Sequence, residues 1–376
     1  MHCVSSDDSV MALSNRHLLL DSTIFDLQID GGISRYWFEL ATNVMRRHDE
    51  WKLTLLTNPH ARNKFGKRLI EETSGRPNVR VHSHATGQIG RIFGPWLPAR
   101  YKASLWHSSY YRTPIHPKLS SVCTVYDFIY EHWASPTEAR LHSWIKRKAI
   151  LGASQIICIS KATRRELHAL YPNIPDNKCH VVHLGPSQSF HSAKNHDPSN
   201  GQPPAAPYVL FVGSRNGYKN FAVAVRAART IAGLELVVVG GGKLSQRELV
   251  FLREQLPDRH RVFETPTDET LCDLYQGATA LTYLSRLEGF GFPPLEAMAS
   301  GCPVIAMNAS SIPEVVEDAG MLLSSEDPMV VADAIRAVIV RERRMDMIAR
   351  GLKRAAMFSW DRTVDETVGI YERAIS

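Results

Sequence analysis

The six cysteines of this chain (Cys3, Cys123, Cys158, Cys179, Cys272 and Cys302) form no Cys-x-x-Cys pair and no regular spacing. That excludes a disulfide framework. Several lie in apolar runs such as Ile156-Ile-Cys-Ile159, so buried free thiols in a reducing compartment are expected. No apolar stretch approaches the ~18–20 residues that cross a bilayer. The polar, acidic start from Met1 to Asp8 lacks the basic and apolar regions of a signal peptide. A cytoplasmic protein is expected, with peripheral membrane contact left to the aromatic and basic run Arg91 to Lys102. No block of five or more like charges is present, which speaks against a nucleic-acid arm. The net charge of +6 and pI near 9.0 suit a phosphorylated or polyanionic partner. An Asp-x-Asp pair is missing too, so a metal-bound diphosphate is not supported and no metal site is expected. His82-Ser-His84 lacks a third ligand and reads as surface histidines.

What is present is an alternation of short apolar runs and helical patterns. His17–Asp21, Lys52–Thr57, Val79–Val81, Ser104–His107, Ser121–Tyr126 and Gln155–Ser160 read as strands. Helices are expected just after Gly31-Gly32, from Glu138 to Gly152 and from Lys161 to Tyr171. A polar, Pro-rich stretch then breaks the pattern, and the alternation restarts at Tyr208. The second half offers strands Tyr208–Gly213, Leu234–Gly240, Ala280–Tyr283 and Pro303–Ala306, with helices Asn220–Ile231, Pro294–Ser300 and Met329–Arg341. Strands alternating with helices predict an α/β fold of two doubly wound Rossmann-like domains. The expected boundaries are 1–185, a linker 186–207, a second domain 208–357 and a docking helix 358–376. Ligands of such sheets bind at the carboxyl ends of the strands.

The most specific text is Glu288-Gly-Phe-Gly-Phe-Pro-Pro-Leu-Glu296. Gly289 and Gly291 let a ligand approach the backbone amides. Pro293 and Pro294 suit a helix start, and Gly301 a helix stop. A loop that feeds a helix N-terminus is suited to anions. Two carboxylates around it, Glu288 and Glu296 in the helix's first turn, would accept hydroxyls on either side of a phosphate. A nucleotide sugar carries that pattern. Arg215 and Lys219, after Gly213, offer a bidentate fork and a point charge to a departing diphosphate. Gly240-Gly-Gly242 lacks the spacing of a dinucleotide site and reads as a structural turn.

From about His17 onward the chain resembles the retaining family-4 glycosyltransferases of the GT-B fold, which include mannosyltransferases of bacterial surface polysaccharide synthesis. The resemblance rests on Glu288 to Val304, on Ala309-Ser-Ser-Ile-Pro-Glu-Val315 and on Val212 to Phe221. It implies two domains facing across a cleft. It places Glu288 at the reaction centre, Glu296 on ribose, Gly289, Phe290 and Gly291 on sugar and diphosphate, and Arg215 with Lys219 on the diphosphate. Glu264 to Thr267 corresponds to the segment that reads the base, and Asp30 to Tyr36, with Gly31 and Gly32, to a loop near the reacting sugar. Thr124 to Glu131 corresponds to a segment that in many relatives reads His-Asp. Here Tyr126 stands where they carry His, and a tyrosine is a poor base near neutral pH. Asp127 stays a candidate to orient a sugar, and His107, at a strand end, is either an acceptor contact or a satisfied structural histidine. The implied reaction moves a hexose, with GDP-mannose favoured as donor, to a glycan or lipid-linked acceptor in lipopolysaccharide, O-antigen or exopolysaccharide synthesis, without a cofactor. A nucleotide-sugar 2-epimerase and a non-catalytic polysaccharide-assembly partner are the alternatives.

Overall fold

Strands covered on both faces read as unbroken apolar runs. Tyr208-Val-Leu-Phe-Val212 and Leu236-Val-Val-Val239 are buried at every residue. Taking each such side chain out of water contributes about 1.5–3 kcal/mol. The computed structural model describes residues 16–84, 95, 97, 103–116, 119–133, 136–190, 207–215 and 217–376. The start of the chain, most of the run 91–102 and most of the expected linker lie outside them.

The chain divides into two units, one ending at Leu184 and completed by Trp360–Ser376, the other spanning Gly185–Ser359. In the first unit the strands are β1 (His17–Asp21), β2 (Lys52–Thr57), β3 (Val79–Ser83), β4 (Leu105–Ser108), β5 (Ser120–Val125), β6 (Gln155–Cys158) and β7 (Cys179–Val181). Their order is β3-β2-β1-β4-β5-β6-β7. In the second unit β8 (Tyr208–Val212), β9 (Glu235–Val239), β10 (His260–Phe263), β11 (Ala280–Tyr283), β12 (Val304–Met307) and β13 (Met321–Leu323) run in the order β10-β9-β8-β11-β12-β13. Every pairing is parallel. The order reverses between β1 and β4 in one sheet and between β8 and β11 in the other, so each has one switch point.

The helix Trp360–Ile375 belongs to the first unit. Val364, Val368 and Tyr371 are buried on its inward face. Tyr371 meets the Trp51 ring edge-on, and Trp360 packs against Tyr36. Trp37 donates to Ser22 Oγ at 2.9 Å and Trp106 to the Arg112 carbonyl at 2.9 Å, so these large side chains enter the core with their polar atoms satisfied. The five described cysteines are free and buried. Among the described residues no helix is long and apolar enough to cross a membrane, and no group of three His, Cys, Asp or Glu side chains could hold a metal ion.

Candidate active site

The switch point of the second sheet lies between β8 and β11, and the loops after these strands are stitched together. Asn220 donates from its side chain to the Leu284 carbonyl at 2.9 Å, and Arg286 N donates to the Tyr218 carbonyl at 2.9 Å. Asn220 adopts φ 55°, a left-handed conformation that Asn tolerates, and heads the helix Phe221–Arg229. This stitching brings Lys219 Nζ to 2.6 Å from Glu288 Oε1. Each side chain is 12% exposed, so the pair is largely shielded while still reachable. The ammonium lies 5.6 Å from the Tyr218 ring centroid and 5.5 Å from that of Tyr283. Burial, then the charge of Glu288 and a hydrogen bond to it, push the Tyr283 hydroxyl well above its ordinary pKa.

Past Glu288 the chain turns at Gly291, whose φ of 120° favours glycine, into the helix Phe292–Ala299. Phe290 is buried and packs edge-on against Phe292 and Phe358, which anchors the turn. The helix begins two residues earlier than the sequence suggests. Two consequences follow. Pro293 and Pro294 remove two of the N–H groups that a helix start normally presents, so the amide donors at this end belong to the loop and to Phe292. Glu296 is moved out of the first turn to the fifth helical position, where it is 6% exposed and accepts from Tyr275 Oη at 3.3 Å.

Arg215, expected on the diphosphate, is hydrogen-bonded within the protein. Its Nε donates to Glu248 at 2.7 Å and Nη1 to the Gly240 carbonyl at 2.8 Å. Nη2 reaches the carbonyls of Gly241, Gly242 and Lys243 at 3.1, 3.2 and 2.9 Å. The side chain is 5% exposed. Gly240, Gly241 and Gly242 all have φ between 72° and 78°, which aims successive carbonyls at one guanidinium. A Cβ on Gly241 would sit 2.6 Å from Arg215 Nη1 and 2.9 Å from the Gly213 carbonyl. The triple glycine is a structural turn, and Arg215 is the cation that closes it.

Three contributors could not be read from the sequence. Ser310 and Ser311, in the loop after β12, bond the main chain of Glu288, and Tyr275 reaches Glu296 from a neighbouring helix. The stretch Ala309 to Val315 was the only signal for the serines, and it carried no role for either hydroxyl. Glu264 to Thr267 follows β10 on the same edge, with Thr267 capping the helix Asp268–Gly277.

Of the sugar contacts expected in the first unit, Tyr126 and His107 are buried, whereas Gly31, Gly32 and Asp127 keep some exposure. Gly31 heads the helix Gly32–Arg47, and its N–H is taken by Asp30 Oδ1 at 2.8 Å. Tyr126 is not placed to meet a sugar hydroxyl: it is buried and donates to the Ser109 carbonyl at 2.9 Å. Burial drives its hydroxyl pKa further up. Asp127 Oδ1 accepts the Ile129 N–H at 3.0 Å, the bond of a loop cap. His107 does not point outward. It is fully buried, with Nδ1 2.7 Å from Tyr371 Oη and Nε2 2.9 Å from Thr124 Oγ1. Burial lowers its pKa to about 3, so it is neutral at physiological pH. Asp21 and Arg112, paired at 2.8 Å and almost wholly buried, occupy the carboxyl end of β1 at this switch point. His84 Nε2 lies 3.2 Å from Arg112 Nη2.

Residues 30–186 match the family model of glycosyltransferase family 4, and residues 192–354 that of the group 1 glycosyl transferases. The O-antigen chain mannosyltransferase B of Escherichia coli is 42% identical over 110 residues, 28% of each chain. A D-inositol 3-phosphate glycosyltransferase of Mycolicibacterium smegmatis is 28% identical over 310 residues, 79% of this chain and 67% of the relative. This chain thus spans about a quarter of the first relative's length and two thirds of the second's. The crystal structure of Anabaena HepE in complex with UDP-glucose superposes with a TM-score of 0.68 over 95% of this chain and 99% of that one, at 17% identity. That likeness is one of fold.

Proposed function

Because the chain belongs to the family-4-like glycosyltransferases of the GT-B fold, we propose that it transfers a hexose from a nucleotide diphosphate sugar to a hydroxyl of a glycan or lipid-linked acceptor, with retention of configuration. The observation that carries this reading is the meeting of Lys219 with Glu288 at the switch point of the second sheet. In this reading the diphosphate takes Lys219 from Glu288. The released carboxylate then accepts a hydroxyl of the transferred sugar. Negative charge that builds on the leaving diphosphate is met by the ammonium and by the positive end of the helix Phe292–Ala299. Glu296 holds ribose hydroxyls, with Tyr275 fixing its carboxylate. Arg215 contributes by shaping the turn Gly240–Lys243. A mannosyl donor is favoured by the similarity to the O-antigen mannosyltransferase, and synthesis of a surface polysaccharide is the matching setting.

The test offers GDP-mannose, UDP-glucose and UDP-N-acetylglucosamine to the protein and measures thermal stability and release of the nucleoside diphosphate. One of the three should stabilise the chain, and Glu288→Gln should lower its turnover by about 10²–10³-fold. If none binds, or if Glu288→Gln turns over as the unmodified protein does, the reading is wrong. Recovery of the C2 epimer of the donor without added acceptor would favour the epimerase instead.

A further inference from the structure

Glu288 is held by its main chain as well as by its carboxylate. Ser310 Oγ donates to the Glu288 carbonyl at 2.7 Å and accepts from the Glu288 N–H at 3.2 Å. Ser311 Oγ donates to the same carbonyl at 2.9 Å. Both acceptor positions of that carbonyl are therefore filled, and the peptide groups on either side of the Glu288 Cα are tied to one loop. The loop follows β12, which pairs with β11 in parallel, so the sheet itself brings the serines beside the glutamate.

Ser310 has φ 55°, where a side chain other than Gly, Asn or Asp is disfavoured. The strain and the gain from its two hydrogen bonds are of the same order, so overall stability gives serine no clear advantage over glycine here. What the hydroxyl adds is orientation. With the backbone fixed, Glu288 can move only about its side-chain torsions, between Lys219 and a bound sugar. A tilt of about 15° in the main chain would displace the carboxylate by about 1 Å, enough to cost a reaction as much as about 100-fold.

We infer that Ser310 and Ser311 are positioning residues for Glu288: they set where its carboxylate meets the transferred sugar and do not themselves touch the ligand. The inference rests on Glu288 standing at the reaction centre. Ser310→Gly, which removes the hydroxyl together with the strain, is compared with Ser310→Ala, Ser311→Ala and Glu288→Gln. The readouts are melting temperature, turnover at saturating donor for whichever of the three nucleotide sugars is used, and affinity for its nucleoside diphosphate. Ser310→Gly is expected to melt no lower than Ser310→Ala and to bind the nucleoside diphosphate within about two-fold of the unmodified protein. It should still turn over about 10–100-fold more slowly. Full turnover in Ser310→Gly and Ser311→Ala, beside a slow Glu288→Gln, overturns the positioning role and leaves the proposed function standing. A slow Ser310→Gly whose nucleoside diphosphate affinity falls in proportion overturns it as well, because the serine would then serve binding. Normal turnover in Glu288→Gln defeats the functional reading itself.

Discussion

At the scale of single residues, the partner of a charge decides its role. Lys219 and Arg215 stand four positions apart on one loop, and the sequence offers both to a diphosphate. Lys219 ends on Glu288, whereas Arg215 has every guanidinium nitrogen committed to Glu248 and to a ring of carbonyls. A planar fork with several fixed donors can satisfy that ring; an ammonium on a flexible stem cannot. Arg215→Lys is therefore expected to destabilise the second unit by about 1–3 kcal/mol through carbonyls left unpaired. Its affinity for nucleoside diphosphate should suffer less than that of Lys219→Met. Thermal melting and calorimetric titration of the two variants check this, and a larger affinity loss in Arg215→Lys would return that residue to the ligand.

Among the elements, the central strands were legible, and of the four sheet edges only β3 was. β8, β9 and β11 announce themselves as apolar runs because both faces are covered. β7, β10 and β13 are edges of their sheets, three or four residues long and partly exposed, and no local pattern separates them from loop. The amphipathic helix Arg341–Ala355 was hidden for a related reason: its exposed face is so rich in arginine that the apolar stripe is thin. The helix Trp360–Ile375 shows its docking face in sequence but not which unit it docks on. Its Tyr371 hydroxyl supplies the partner of His107 Nδ1 inside the first unit. Tyr371→Phe leaves that nitrogen unpaired in the core and should cost about 1–3 kcal/mol. In a unit of this size that lowers the melting temperature by several degrees, which differential scanning calorimetry would register. An unchanged melting temperature would mean that the imidazole finds another partner.

For the whole molecule, sensitivity to acid should be uneven, because the histidines whose pKa values are most lowered, buried His107 and half-buried His142, sit in the first unit. His107 has its pKa lowered to about 3 and His142 to about 4, each chiefly by burial. An imidazole in the unfolded chain titrates near ~6.5. A folded pKa below the unfolded one means that the unfolded state binds more protons as the pH drops. Stability is therefore fully present above about pH 6.5 and declines through the window toward pH 4. Melting temperatures of the first unit between pH 6.5 and 5 should fall as the buffer is acidified, and His142→Gln should flatten the slope. A slope unaltered by that substitution would assign the acid sensitivity elsewhere.

The pattern of apolar runs by itself determined two parallel, doubly wound sheets, since burial on both faces leaves a local imprint on each strand. The motif from Glu288 to Glu296 likewise determined the switch-point loop, because glycines and prolines at a strand-to-helix junction constrain the backbone wherever they occur. Only the tertiary structure decided which charges meet. It paired Lys219 with Glu288, tied Arg215 to the carbonyls of Gly240–Lys243, buried His107 and Tyr126, and set Ser310 and Ser311 against the glutamate. Such pairings depend on distances between loops from separate strands, and those distances exist only once the sheet has assembled.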